Sequence, residues 1–148
     1  MNINKNINKL NIETININDL VQYQNNAKKH PQKKIGTLTC LHSNDVCARV
    51  GCLKAFMERE AFFKEYSQDT CLAAMMTCNG CKSMNPAEPD DDKGILEKID
   101  RLVSEDIKVM HVGVCCLIDG KKECPRITRI CEMLEDRGIQ VVRGTHRE

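Results

Sequence analysis

Cys78 and Cys81 are the residues whose type and spacing indicate chemistry most directly, because only two positions separate them and an apolar run precedes them. Two thiolates at this spacing can hold one metal ion, while backbone N–H groups of the turn donate to the sulfur atoms. Thioredoxin-like redox sites have the same spacing but normally begin a helix, and Pro86 and Pro89 disfavour a long helix directly after this turn. The pattern therefore favours a metal-binding turn.

Further cysteines and two histidines, His42 and His146, follow the other segments that we expect to be strands, and the 148-residue chain has ten cysteines in all. In an open α/β sheet the carboxyl ends of the strands share one edge, and ligands bind there. Residues that are far apart in the sequence can therefore meet in one small volume, where thiolate and imidazole are ligands that suit zinc. The predicted metal ligands are Cys40, Cys47, Cys52, Cys78, Cys81, Cys115, Cys124 and His146.

Four other residues of ligand type are expected to have different roles. Cys116 would point to the opposite face from Cys115 if the strand is still extended there. Cys71, inside an apolar strand, and Cys131, on the inner face of a helix, are expected to be small buried hydrophobic side chains. His111 lies within the third predicted strand and is expected to be a packed histidine.

The identity and number of the metal ions stay open at this point. A structural zinc site takes four ligands. The candidates therefore allow two metal ions, an iron–sulfur cluster held by about four thiolates, or a mixture of ligands and free thiols. The combination of Cys with His, and the lack of a C-x-x-C-x-x-C run, favour Zn²⁺, with an iron–sulfur cluster as the alternative.

Two functions fit these residues. The first is a cytoplasmic metal-binding protein, with zinc held at the edge of the sheet for storage, sensing or structure. The alternative is a thiol- or metal-dependent redox enzyme in which Cys40, Cys115 or Cys124 remains free to react. No acid–base pair or phosphate-binding glycine loop indicates a particular reaction, so enzyme activity is left open. A phosphatase-type cysteine loop is excluded because no arginine lies six positions after Cys40.

Four apolar runs predict the strands that position these residues. The runs lie at 35–39, 71–77, 107–114 and 139–142. Each run has the length of a strand, and helical patterns separate them. Parallel strands joined through helices take right-handed crossovers. The predicted fold is therefore α/β with three layers, a mainly parallel sheet of about four strands with helices on both faces, flavodoxin- or Rossmann-like.

Three helices are expected between these strands. Residues 43–45 (Ser-Asn-Asp) are good caps for the first, and the aspartates at 90–92 suit the cap and first turn of the second. Pro125 and Gly138 mark the start and the end of the third. The inner face of the first helix is expected to carry Leu53, Phe56, Met57 and Phe63.

Charge and hydropathy exclude several classes of partner. The chain has 22 basic and 21 acidic residues, so no strong field attracts nucleic acid or an anionic membrane. No run approaches the roughly 18 apolar residues of a membrane helix, and residues 1–5 lack the apolar core of a signal peptide. We expect a cytoplasmic protein whose partner is a metal ion, without nucleic acid or a membrane. The sequence identifies no protein partner.

Several short motifs occur in a characteristic order. They are Ile35-Gly36 leading to Cys40, Cys47 with Cys52 before Leu53, Cys78-Asn79-Gly80-Cys81, His111 with Cys115, Glu123-Cys124-Pro125 and Val141 to His146. Together they resemble the CGGC domain family, small bacterial and archaeal proteins named for their central tetrapeptide. The resemblance covers residues 34–148 and implies a metal-binding domain, with zinc as the metal. Asn79 stands where the family has glycine, which leaves both sulfur donors in place.

Residues 1–33 differ from the rest, because they are rich in Asn, Ile and Lys and contain no cysteine. We expect a polar leader that is disordered or a remnant of gene fusion. Residues 10–32 resemble the start of a ParB-like domain. Only the opening strand and turn of such a domain are present, so neither a partition nor a nuclease function is predicted.

Overall fold

A computed structural model describes residues 33–147 of the protein. The predicted leader and its resemblance to a ParB-like domain therefore lie outside the described residues, apart from Lys33. The strands are β1 (Lys34–Thr39), β2 (Cys71–Thr77), β3 (Ile107–Val112), β4 (Leu117–Ile118), β5 (Lys122–Glu123) and β6 (Gln140–Arg143). The α-helices are α1 (Val50–Glu58), α2 (Lys93–Ser104) and α3 (Pro125–Asp136), and short 3-10 helices span Leu41–Asp45, Ala61–Phe63 and Val114–Cys116.

Four parallel strands form one sheet in the order β2-β1-β3-β6, which confirms the predicted fold class. In the register of the sheet, Thr39 lies opposite Thr77, and Leu38 lies opposite Val112. The carboxyl ends of β1, β2 and β3 therefore reach the same edge at nearly the same level. The order of the strands reverses between β1 and β3, and such a switch point is where open α/β sheets bind ligands.

Helices cover both faces of this sheet. The larger core, which involves α2 and α3, includes Leu38, Met110, Ile95, Ile99, Ile127, Ile130 and Leu134. The smaller core, on the side of α1, consists of Ile35, Ala55, Phe63 and Val109. Each fully buried aliphatic or aromatic side chain contributes about 1.5–3 kcal/mol through removal from water. The cysteine-bearing edge is therefore held by a packed three-layer scaffold.

The start of α3 agrees with its predicted signal. The start of α2 agrees in part, because Asp92 is the predicted cap whereas Asp90 and Asp91 precede the helix and none of the three lies in its first turn. The Asp92 carboxylate caps α2 by accepting hydrogen bonds from the N–H groups of Gly94 at 2.9 Å and Ile95 at 3.2 Å. Pro125 occupies the first turn of α3, where its missing N–H costs nothing. Both helices have 12 residues. None of the described helices combines the length and the apolar character needed to cross a bilayer.

The prediction for the first helix is wrong in its extent and in part of its face. Phe56 packs against the smaller core as expected, and Phe63 is buried but lies in the separate 3-10 helix that follows, whereas Leu53 and Met57 are exposed. Residues 41–45 form a separate 3-10 helix, so residues 43–45 do not cap α1. Arg49 and Arg59 flank α1 in the left-handed conformation, with φ of 61° and 55°, which limits the helix to nine residues. Leu53 is 37% exposed and Met57 is 75% exposed. The inward positions of α1 are instead held by Cys52 and Ala55.

We predict that Gly36→Ala destabilises the domain. A Cβ atom on Gly36 would lie 2.5 Å from the Met110 sulfur and 3.1 Å from the Ala74 carbonyl oxygen. Because Met110 is fully buried, the new methyl group has no space, and such overpacking costs about 1–3 kcal/mol. Urea unfolding would measure this loss. Since Met110→Val removes the crowding sulfur, the loss in the double variant should be smaller than the sum of the two single losses. Additive losses would contradict the steric explanation.

Candidate functional site

Six cysteines line one cavity of about 130 Å³ at the carboxyl edge of the sheet. Five of them belong to the predicted ligand set, and the sixth, Cys116, was expected to point away. The six are Cys40, Cys78, Cys81, Cys115, Cys116 and Cys124. We call this space the cysteine cavity. Side chains from positions 40 to 124 of the sequence thus meet at one place in the fold.

The parallel strands place the first members of this set. Cys40 directly follows β1 and Cys78 directly follows β2, next to the paired residues Thr39 and Thr77. The backbone N–H of Leu41 donates to the Cys78 sulfur at 3.5 Å, and the N–H of Cys40 donates to the Cys115 sulfur at 3.4 Å. Hydrogen bonds of this kind stabilise sulfur in its thiolate form.

A 3-10 helix explains why both Cys115 and Cys116 face the cavity. β3 ends at Val112, earlier than predicted, and residues 114–116 curl back toward β1. The alternation expected for an extended strand does not apply to this curled backbone, so the prediction for Cys116 is wrong. The Cys116 sulfur also lies 3.6 Å from the carbonyl oxygen of Leu38, which places the curl against the central strand.

A hydrogen bond between the neighbouring thiols of Cys115 and Cys116 changes the pKa of both. The hydrogen bond from Cys116 is the main cause that lowers the pKa of the Cys115 thiol to about 5, and it outweighs the burial of that thiol. The N–H of Cys40 and the hydroxyl of Ser43 add to the effect. The same bond, together with burial, raises the pKa of Cys116, and burial also raises the pKa of Cys40. At neutral pH the metal-free cavity therefore holds a thiolate at Cys115 beside protonated thiols at Cys40 and Cys116.

The turn between Cys78 and Cys81 depends on two left-handed residues. Asn79 has φ of 62° and Gly80 has φ of 94°, a region that glycine and asparagine tolerate best. The Asn79 side-chain amide donates to Asp92 at 3.3 Å and accepts from the Lys98 ammonium group. Asparagine at this position therefore adds contacts that tie the turn to α2.

A buried ion pair holds the same turn from the other side. Arg126 of α3 and Asp92 lie 2.6 Å apart, and each side chain is 8% exposed. The Arg126 Nε atom also donates to the carbonyl oxygen of Cys78 at 2.7 Å. Burial alone would raise the pKa of Asp92, but hydrogen bonds from Asn79, Asn85 and the start of α2 outweigh burial and lower it. One carboxylate thus links α2, α3 and the Cys78–Cys81 turn.

The remaining predicted ligands lie in a separate, larger space of about 340 Å³. Cys47, Cys52 and His146 line it, and Cys115 contributes to the walls of both spaces. We call it the Arg49 cavity, because Arg49 is one of its two cationic wall residues. The Cys52 sulfur lies 3.3 Å from His146 Nδ1. The structure therefore divides the eight predicted ligands between two adjacent cavities.

The residues assigned other roles have mixed outcomes. Cys71 is exposed, so its prediction as a buried residue is wrong, whereas Cys131 is fully buried as expected, and burial raises its pKa to about 12. His111 is the predicted packed histidine, since its Nδ1 donates to Gly144 at 2.9 Å and its Nε2 accepts from Tyr66 at 2.7 Å. Burial lowers the pKa of His111.

The donor chemistry of the cysteine cavity fits a metal that prefers sulfur. Thiolates select Zn²⁺, Cu(I) and iron–sulfur clusters over hard oxygen-binding ions. Within residues 33–147, no three Cys, His, Asp or Glu side chains are grouped closely enough to hold a metal ion as they stand. Binding would therefore draw sulfur atoms together across a cavity that they already surround.

A family model described as CGGC domain matches residues 34–146 of the chain. No curated protein and no solved structure matches it. The matched range begins at the first residue of β1 and contains all ten cysteines. The match therefore covers the sheet, the cysteine cavity and every residue of the Arg49 cavity except Arg147.

We predict that Asp92→Asn is strongly destabilising at neutral pH. Breaking one side of a buried ion pair costs about 3–5 kcal/mol. Because folding lowers the pKa of Asp92, its contribution is complete above the unfolded pKa of about 4 and is lost as the pH falls through the lower folded pKa. The difference in free energy of unfolding between wild type and variant should therefore shrink in strong acid. Denaturant titration at pH 7 and pH 3 would measure it.

Asp90→Asn is the matched control, because Asp90 pairs with Arg129 at the exposed surface. Exposed pairs contribute little to stability, so this neighbouring carboxylate should be replaceable with little effect. Equal losses in the two variants would show that the buried network around Asp92 has no special role.

Proposed function

Because the chain belongs to the CGGC domain family, a cysteine-rich family inferred to bind metal, we propose that it binds Zn²⁺ in the cysteine cavity. The observation that carries the proposal is that six cysteines line one cavity of about 130 Å³. Sulfur donors in this number suit a thiolate-bound metal. The metal-binding domain would comprise residues 34–148.

We place the ligands among Cys40, Cys78, Cys81, Cys115 and Cys124, which are the predicted ligands that line this cavity. The Cys78–Cys81 turn offers two donors on a backbone that Asp92 and Arg126 hold in place. A structural zinc site needs four ligands, so the cavity supplies more sulfur than one ion requires. Cys47, Cys52 and His146 lie outside this proposed centre, because they line the Arg49 cavity.

The bound metal would serve storage, sensing or structure. Metal binding to the folded domain alone adds its free energy to the stability of the fold. Thiols must lose their protons to bind, so affinity would fall with decreasing pH. Ten free cysteines among the described residues support the further proposal that the protein works in a reducing compartment, the cytoplasm.

We predict that Cys78→Ser lowers the zinc content and the melting temperature together. This change removes a sulfur donor from the fixed turn, and the stability that the metal provides is lost with it. Elemental analysis and thermal unfolding of protein purified without oxygen would measure both quantities. Cys71→Ser is the matched control, because Cys71 is exposed and does not line the cysteine cavity.

Three outcomes of these two measurements would separate the proposals. Zinc at about one ion per chain, lost in Cys78→Ser and kept in Cys71→Ser, supports the proposed function. Iron together with acid-labile sulfide would show that the cavity holds an iron–sulfur cluster instead of zinc. Protein that contains no metal, with an unchanged melting temperature in Cys78→Ser, would rule out a metal centre in this cavity.

The second candidate function is a thiol-dependent redox enzyme, which is favoured by the depressed pKa of Cys115. The Cys115 thiolate would attack a substrate disulfide, breaking the S–S bond and releasing one substrate thiolate. Cys40, whose N–H contacts the Cys115 sulfur, would then attack the mixed disulfide. This second step releases the other substrate thiol and leaves a protein disulfide, so that the substrate gains the two electrons that the protein loses.

We predict that Cys116→Ala slows alkylation of Cys115 at acidic pH in the metal-free protein. The hydrogen bond from Cys116 is the main cause that lowers the pKa of Cys115 to about 5, so its loss should move that pKa toward the ordinary value of 9.0. The pH dependence of iodoacetamide labelling, followed by mass spectrometry of the Cys115 peptide, would measure the shift. The exposed Cys71 provides an internal standard. An unchanged profile at Cys115 would mean that Cys116 does not activate its neighbour.

A further inference from the structure

The Arg49 cavity has a positively charged wall. Arg49 and Arg147 line it together with the Cys52 and His146 side chains. No aspartate or glutamate among the described residues lines this space. Its volume of about 340 Å³ is at the lower end of the range for small-molecule sites, about 300–1,000 Å³. The size and the charge together favour a small anion.

Arg49 differs from other arginines of the fold in its partners. Its Nη2 atom donates to Thr39 Oγ1 at 3.1 Å and to the side-chain oxygen of Asn44, which are both neutral. Arg126 and Arg143, by contrast, each pair with a carboxylate. Within residues 33–147, Arg49 has no carboxylate partner, although it is partly buried. Its charge and its Nε and Nη1 donors therefore remain available to a ligand, and either N–H can donate a charge-assisted hydrogen bond to a carboxylate oxygen.

The wall of the Arg49 cavity also includes a thiol beside an imidazole. Cys52, which is 7% exposed, contacts His146 Nδ1 at 3.3 Å and donates to Thr145 Oγ1 at 3.3 Å. The His146 ring packs so closely on Gly51 that a Cβ atom there would lie 2.9 Å from it. This close approach holds the imidazole against the start of α1 and fixes its position beside the sulfur.

We propose that the Arg49 cavity binds a small organic carboxylate, with Arg49 holding the carboxylate group and the remainder of the molecule lying toward Cys52 and His146. This site goes beyond the proposed metal function, because it is a different space that shares only Cys115 and Leu117 of its lining with the cysteine cavity. Its ligand is anionic and organic, whereas the cysteine cavity offers sulfur donors to a metal.

Paired alkylating reagents test this site in the full-length protein. Iodoacetate and iodoacetamide have the same reacting carbon, but only iodoacetate carries a carboxylate. In both, a cysteine sulfur attacks the methylene carbon, iodide leaves, and the thiol proton passes to solvent. The readout is the iodoacetate-to-iodoacetamide rate ratio at Cys47 and Cys52, divided by the same ratio at the exposed Cys71, from mass spectrometry of the peptides.

We predict a normalised ratio of about tenfold in the wild type, since a hydrogen-bonded charge pair contributes a factor of this order. Arg49→Met should reduce the ratio to about one, and Arg49→Lys should leave an intermediate value, because it keeps the charge but loses the planar guanidinium group and its fixed donor geometry. Arg137→Met is the matched control, since Arg137 pairs with Asp100 away from the cavity, and it should leave the ratio unchanged.

A normalised ratio near one in the wild type would overturn the proposal, as would a raised ratio that survives in Arg49→Met. Failure of both reagents to reach Cys47 and Cys52 in the native protein would also overturn it, because the cavity would then admit no ligand of this size. If circular dichroism shows that Arg49→Met is unfolded, the Arg49→Lys value decides between these outcomes. Because the readout uses thiols outside the proposed zinc centre, it stands or fails independently of the metal content.

Discussion

The register of β1 between β2 and β3 is the constraint on which the cysteine-rich edge depends. Thr39 lies opposite Thr77, and Leu38 lies opposite Val112, so the residues that follow these strands leave the sheet side by side. A slip of one position would turn every side chain of a strand to the other face. The buried side chain of Leu38 would then leave the larger core. Hydrophobic burial in the layers therefore fixes the positions of sulfur atoms that lie beyond the strands themselves.

The sequence allows the sheet and the meeting of the cysteines to be predicted, because both follow from apolar runs and from the geometry of parallel strands. It does not allow Cys116 to be placed, since its direction depends on a long-range contact. The N–H of Gly113 donates to the carbonyl oxygen of Leu38 at 2.9 Å, after which the chain curls and brings Cys116 to the cavity. The prediction that Cys71 is buried is wrong for a related reason. It begins β2, which lies at an edge of the sheet, so an apolar run there does not ensure burial.

The division of the predicted ligands into two cavities also comes from tertiary structure. Local propensity in residues 43–63 suggests one continuous helix, but left-handed backbone at Arg49 and Arg59 interrupts it. The shortened helix α1 places Cys52 on its inner side, where it meets His146 from the end of the chain. Spacing along the sequence contains no signal for this pairing, because the two residues are 94 positions apart. Chemistry that appears as one cysteine-rich edge in the sequence is therefore two neighbouring sites in the fold.

The proton between Cys115 and Cys116 connects the two candidate functions of the cysteine cavity. Without metal, that proton remains on Cys116 and stabilises a thiolate on Cys115. A bound cation would stabilise thiolates far more strongly than a neighbouring thiol does, and it would withdraw electron density from the sulfur. Metal binding through Cys115 would therefore compete with attack by the Cys115 sulfur on a disulfide. The occupancy of the cavity by metal would decide which chemistry this sulfur performs, and oxidation of Cys115 would in turn remove a donor from the metal.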